Sequence, residues 1–218
     1  MRNHDRTRWM KPIRLCAGSL AVLLAGTFSP ASNGPAAGQQ SKTGSSEIKR
    51  LYDEDQQDRE GIVVLDLSDQ NSLLKLQMRD EARRKRAREL LNAGALRTAK
   101  EFRMAAFIFQ HGNAPDDYLT AHVLALVGVA KGDRESRWIA AATLDRYLLS
   151  VKQPQVFGTN YSQKDASSPL TQEPYHRDLI PDSLRAALCV PNIGDQEKIL
   201  ESLRKNQEPH LPEVCREP

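Results

Sequence analysis

Glycine and proline cut this chain into lengths suited to helices. Gly94, Gly112, Pro115, Gly132 and Pro154 divide residues 71–153 into four stretches, each long enough for several helical turns. "NSLLKLQMRDEARRKRARELLNAG" reads as a long charged helix stopped near Gly94. "ALRTAKEFRMAAFIFQHG" is the next, closed by Gly112 where a helix end favours a left-handed residue. Pro115 and Asp116 open "APDDYLTAHVLALVGVAKG", which Gly132 closes, because proline suits a first helical turn and breaks later ones. "DRESRWIAAATLDRYLLSVKQ" runs to Pro154, with Asp133 placed to cap its first amides. Ahead of these, "EIKRLYDEDQQDREG" opens with a helix that Gly61 ends, and "IVVLDLSD" is a short strand or an extended anchor.

A helix–Gly–helix–Pro unit therefore occurs twice, at a step of about 38 residues. Two units are too few for a solenoid, so two packed hairpins are expected. Beyond Pro154, "GTNYSQKDASSPLTQEPYH" is aperiodic and rich in turn formers, a long loop. "PDSLRAALCVP" and "GDQEKILESLRKN" are short helices. The expected fold is all-α, a compact bundle of packed helical hairpins whose two helix-pair units resemble helical repeats, with a long loop and short C-terminal helices. The helical domain spans 47–207 and an irregular tail 208–218.

The first residues read as an export signal. "MRNHDRTRWMKPIR" carries five basic residues against Asp5, and the apolar run "LCAGSLAVLLAGTF" follows. That run covers 14 residues, short of the roughly 20 a membrane span needs. Cleavage after Ala31 or Ala37 fits equally well; an uncleaved N-terminal anchor is the alternative. Residues 1–37 are the expected signal peptide, and 38–46, small and polar, a flexible linker. After cleavage no stable membrane span is expected. The whole chain holds 31 basic and 28 acidic residues. Removing the signal leaves 26 against 27, so net charge gives no argument for nucleic acid. Cys189 and Cys215 then remain as an even pair in an oxidising compartment, a candidate disulfide with two free thiols as the alternative.

Several polar residues stand where apolar ones are expected. At 100° per residue, Trp138, Ala142, Asp145 and Leu149 fall within about 60° of one another. The opposite side carries Ala140, Leu144, Tyr147 and Val151, which makes this helix central to the bundle. A carboxylate there must be paired, hydrogen-bonded or protonated. Asp145 is thus either a structural bridge, to Arg146 or another arginine, or a site residue with a perturbed pKa. His122 precedes the apolar "VLALVGVA" and reads as a core histidine satisfied by a carbonyl or a tyrosine. His111 stands in a last turn, where the helix dipole favours its positive form. The turn "QPQVFGTN" offers amide, hydroxyl and backbone donors, with Gly158 allowing close backbone approach. It can hold a polar ligand or cap the helix before it.

Standard catalytic signatures are missing: no Gly-x-Ser-x-Gly, no His-Glu-x-x-His, no Cys-x-x-Cys and no Gly-rich phosphate loop. No cofactor and no metal are expected, as His111 and His122, eleven residues apart, do not share one helical face. Arg79, Arg83, Arg84, Lys85, Arg86 and Arg88 spread round their helix among acids, a solvated helix with an anionic partner as the alternative.

"DQQDRE" (55–60), "FQHG" (109–112), "TLDRYL" (143–148) and "QPQVFGTN" (153–160), in that order, resemble an uncharacterised bacterial family, a domain of unknown function. That family shows a Gln-His pair, an Asp-Arg pair on a helix and a Pro-Gln-x-aromatic-Gly-Thr-Gln turn; this chain has Asn160 at the last place. The resemblance covers about residues 47–190. It implies a shared polar set of Gln110, His111, Asp145, Arg146, Gln155, Gly158 and Thr159, with Asp55, Gln56 and Arg59 as further members. It implies no activity.

Three expectations follow. The first is an exported interaction or ligand-binding module for a small molecule or protein partner, its polar pocket formed by the Asp145 helix and the 153–160 turn. In that pocket Gln110, Arg146, Gln155, Gly158 and Thr159 are the ligand-binding candidates. The second is a small hydrolase-like enzyme, with His111 or His122 as base and Asp145 orienting it. The third is a buried polar network with no ligand site.

Overall fold

The computed structural model describes residues 37–60, 70–165 and 167–210. Among them are seven helices: α1 (Ala37–Glu60), α2 (Gln70–Asn92), α3 (Ala99–Phe109), α4 (Pro115–Ala130), α5 (Ser136–Ser150), α6 (Asp182–Ala187) and α7 (Ile193–Arg204). The expected all-α fold is what forms. The signal segment ahead of Ala37, "IVVLDLSD" and Cys215 lie outside the described residues.

The breaks work as their chemistry requires, with one exception. Gly94 (φ +61°) and Gly132 (φ +91°) end α2 and α4 in the left-handed region. Gly112 is not left-handed; a Cβ there would lie 2.2 Å from the Asp117 Cβ. It is glycine because the chain turns tightly back onto α4. Thr98 and Glu101 form a capping box at the start of α3. Asp133 does not cap the amides of α5: its carboxylate takes the Ser136 hydroxyl at 2.6 Å and the Arg103 guanidinium at 3.0 Å.

The 38–46 stretch is no linker here, since α1 starts at Ala37. Local composition favours a loose chain, but tertiary contact decides otherwise. Gly44 sits so close to Ala95 that an added Cβ would approach that residue's Cβ to 2.7 Å, and the Ser45 hydroxyl hydrogen-bonds the buried Glu101 carboxylate.

The main core collects Ile48 and Leu51 of α1, Leu90 of α2, Phe107 and Phe109 of α3, Leu124 of α4 and Ile139 of α5. α3 packs chiefly on α4 and α1, and α4 on α5. Behind α5 the long loop and the C-terminal helices add two smaller clusters, one around Ala141, Phe157 and Val190, the other around Tyr161, Ile199 and Leu200. α5 is therefore covered on both sides. One side meets the helical core and the other meets the loop, and this division sets where its polar residues point.

Candidate functional site

Asp145 and Arg146 are neighbours in sequence, and at 100° per residue they leave α5 in different directions. Asp145 turns toward the loop and is fully buried. Its Oδ1 accepts from the backbone amides of Val156 (2.7 Å) and Phe157 (3.0 Å). Its Oδ2 accepts from the Thr159 amide (3.0 Å) and hydroxyl (2.8 Å). Burial pushes its carboxyl above the ordinary range, and the amides of Thr159, Phe157 and Val156 pull back.

The rest of the turn is held by other side chains. Gln155 is buried and its amide group spans the loop, donating to the Asn160 (2.9 Å) and Gln172 carbonyls and accepting from the Asn160 amide (3.0 Å). Gln196 donates to the Phe157 carbonyl at 2.9 Å, and Arg185 donates to the Tyr175 hydroxyl at 2.9 Å. Gly158 has φ +77°, and a Cβ there would fall 2.2 Å from Gln196 Oε1 and 2.6 Å from the Tyr175 ring. Gln155, Gly158, Thr159 and Asp145 thus spend their groups on building the turn. Neither histidine is a partner of Asp145, so the expected His–Asp145 couple does not form. The carboxylate has met four donors of the loop instead.

His122 lies within α4 and its Nδ1 is 2.9 Å from the Ala140 carbonyl, so that nitrogen carries the proton and ties α4 to α5. It has the structural role expected of a core histidine.

His111 stands just past the end of α3, and its partner is Asp55: Nε2 lies 3.6 Å from Asp55 Oδ2. Around this pair the helices bring in opposite charges. Asp55 meets Arg59 at 3.1 Å; Asp80 meets Arg59 at 2.7 Å and Arg83 at 2.6 Å; Arg83 also meets Asp58 at 2.8 Å. Arg84 donates to the His111 carbonyl at 2.7 Å and lies 3.5 Å from Asp117. Tyr118 donates to the Gly112 carbonyl at 2.8 Å. From α5, Arg146 donates a long 3.4 Å hydrogen bond to the Gln110 carbonyl, and the Gln110 side chain is buried beside it.

Burial raises the Asp55 carboxyl to about 7, against the pull of Arg59. Burial also holds His111 well below its ordinary value, with Arg59, Arg146, Arg83 and Arg84 adding to the effect. The helix dipole was expected to favour a positive His111. Desolvation and four guanidiniums outweigh it, because the dipole is worth at most about 2 kcal/mol. Its surroundings favour the neutral ring.

The arginines of α2 were expected to be solvated, yet Arg83 and Arg84 are buried. The missed signal is a stripe. Leu76, Asp80, Arg83, Ala87 and Leu90 lie on one face at helical spacing, with two charges in the middle of the apolar row. α1 repeats the pattern, since Asp55 stands one turn beyond Ile48 and Leu51. The two charged segments face each other, and each supplies the counterions of the other.

The fold and this geometry define an all-α protein with two buried polar assemblies, one on each side of α5. No family model matches the chain, and neither a curated protein nor a solved structure is significantly similar to it.

Proposed function

We propose that the chain is an exported binding module whose ligand lies against the polar centre around His111 and Arg146, with the 155–160 turn as the scaffold behind it. The reading rests on one observation. Of the arginines gathered in this centre, Arg146 alone has no carboxylate partner among the described residues, and its Nε is shut off from solvent with no acceptor. Burial lowers its pKa, with Tyr118 opposing and Arg59 adding. A guanidinium held this way costs stability, and a folding network has no use for it. A ligand has. Export is supported by the basic and then apolar N-terminal sequence.

The test is Arg146→Met, followed by thermal melting. A binding residue kept at the expense of stability gives an unchanged or higher melting temperature, by roughly 2–4 °C for each 1 kcal/mol regained. A loss of that size would mean that Arg146 serves the fold, and the binding reading would be withdrawn.

The 3.6 Å approach of His111 to Asp55 favours a second reading, an acid/base enzyme in which Asp55 takes the role first assigned to Asp145. It predicts hydrolysis of p-nitrophenyl acetate or phosphate by the full chain, abolished by His111→Gln.

A further inference from the structure

Resting on that binding reading, we propose that the polar centre takes an oxyanion, a carboxylate or a phosphate, against Arg146, and that one proton enters the Asp55–His111 pair with it.

The charge balance points to an anion. The arginines of the centre, Arg59, Arg83, Arg84 and Arg146, stand among four carboxylates, Asp55, Asp58, Asp80 and Asp117, while Arg79 and Arg88 lie half exposed at its rim. The centre is therefore neutral with Asp55 ionised and carries one positive charge more than negative ones when Asp55 is protonated, so an anion and a proton entering together keep it balanced. Arg59, Arg83 and Arg84 are already in ion pairs, although the Nε groups of Arg59 and Arg83 lack an acceptor; Arg146 alone has no carboxylate partner among the described residues. The residue as a whole is half-buried, while its Nε is shut off from solvent. A planar fork of N–H donors matches the paired oxygens of a carboxylate or phosphate. The single 3.4 Å bond to the Gln110 carbonyl uses little of that capacity.

The proton follows from what surrounds the pair. α1 contributes Asp58 and Arg59 beside Asp55; α2 contributes Asp80, Arg83 and Arg84. Asp117 and Tyr118 come from α4 and Arg146 from α5. This ring is positive on balance, and burial together with its positive charge disfavours a proton on His111. An anion docked on Arg146 cancels part of that field, which favours the protonated forms of both His111 and Asp55. Linkage makes the effect reciprocal, so protonating the pair tightens the anion.

Isothermal titration of the full chain near pH 7 tests this, with sulfate as the tetrahedral probe and acetate as the planar one. Neither probe titrates near that pH, and repeating each titration in buffers of different ionisation enthalpy counts the protons. The expected result is a heat that varies with the buffer, approaching one proton taken up per ion. Affinity then falls by up to tenfold per pH unit above the titration of the pair. Asp55→Asn should reduce the uptake, and Arg146→Gln should abolish binding while far-UV circular dichroism stays helical. The preference between sulfate and acetate tells phosphate-type from carboxylate ligands. Binding with no buffer dependence overturns the proton coupling. Failure of both ions to bind wild type at millimolar concentration overturns the anion assignment, and the Arg146→Met melt judges the wider binding reading separately.

Discussion

Replacing Asp145 by asparagine changes one atom and tests the account of the 155–160 turn. The carboxylate accepts four hydrogen bonds, two at each oxygen. Asparagine keeps one accepting oxygen and adds an NH2 group. If the NH2 takes the Oδ1 place, it faces two backbone amides that can only donate. If it takes the Oδ2 place, the Thr159 hydroxyl can turn and accept, and only the Thr159 amide is stranded. The second arrangement is the cheaper one. It leaves a buried donor unpaired, worth about 1–3 kcal/mol, and turns the bonds from Val156 and Phe157 into neutral ones at about half their former strength. Relief from burying a charge offsets a part of this. The net loss should be about 2–4 kcal/mol, or on the order of 5–15 °C in melting temperature for a domain of this size. Urea unfolding followed by far-UV circular dichroism, at pH 7, measures it. A loss below about 1 kcal/mol would show that these four bonds do not hold the turn, because it would then be standing on Gln155, Gln196 and Tyr175 without its carboxylate.

Two other perturbations follow from the geometry. Gly158→Ala puts a side chain at φ +77° and against Gln196 and Tyr175; left-handed strain of about 1–2 kcal/mol and overpacking of about 1–3 kcal/mol should combine, read as a drop in urea midpoint. Asp55 supplies a pH dependence of definite sign: its folded pKa of about 7 stands above its ordinary 3.8. Between those values the native state holds a proton that the unfolded chain has released. This contribution to stability is therefore complete below about pH 4 and lost as pH rises to 7. Asp55→Asn should flatten the slope relative to wild type in urea midpoints taken across that range, and an unchanged slope would show that another group titrates.

Much of the fold was legible because helix ends are local events. Proline at the start of α4 and the left-handed glycines at 94 and 132 act through their own backbone chemistry, and no distant residue is needed to read them. The placement of His122 was legible for a similar reason, since a polar ring in an apolar helix must find a carbonyl. Gly112 shows the limit. It looked like a left-handed helix end, but its reason is contact with Asp117, which only the return of α4 creates. The start of α1 at Ala37 is another such case, as its small residues order only against Ala95 and Glu101.

The candidate site divided along the same line. From the sequence alone came the all-α class, the glycine and proline breaks that bound most helices, and the demand that Asp145 be satisfied; the set of Gln110, His111, Arg146 and their companions came from the family resemblance. Residue type and helical period are enough for the class, the breaks and that demand. Tertiary structure decided the partners: Asp145 met the amides of the turn, His111 met Asp55, and the charges of α2 were drawn inward by those of α1. Which donor meets which acceptor depends on helix rotation and crossing. Those are set by the packing of Phe107, Leu124, Ile139 and the rest of the core as a whole, which no local pattern encodes.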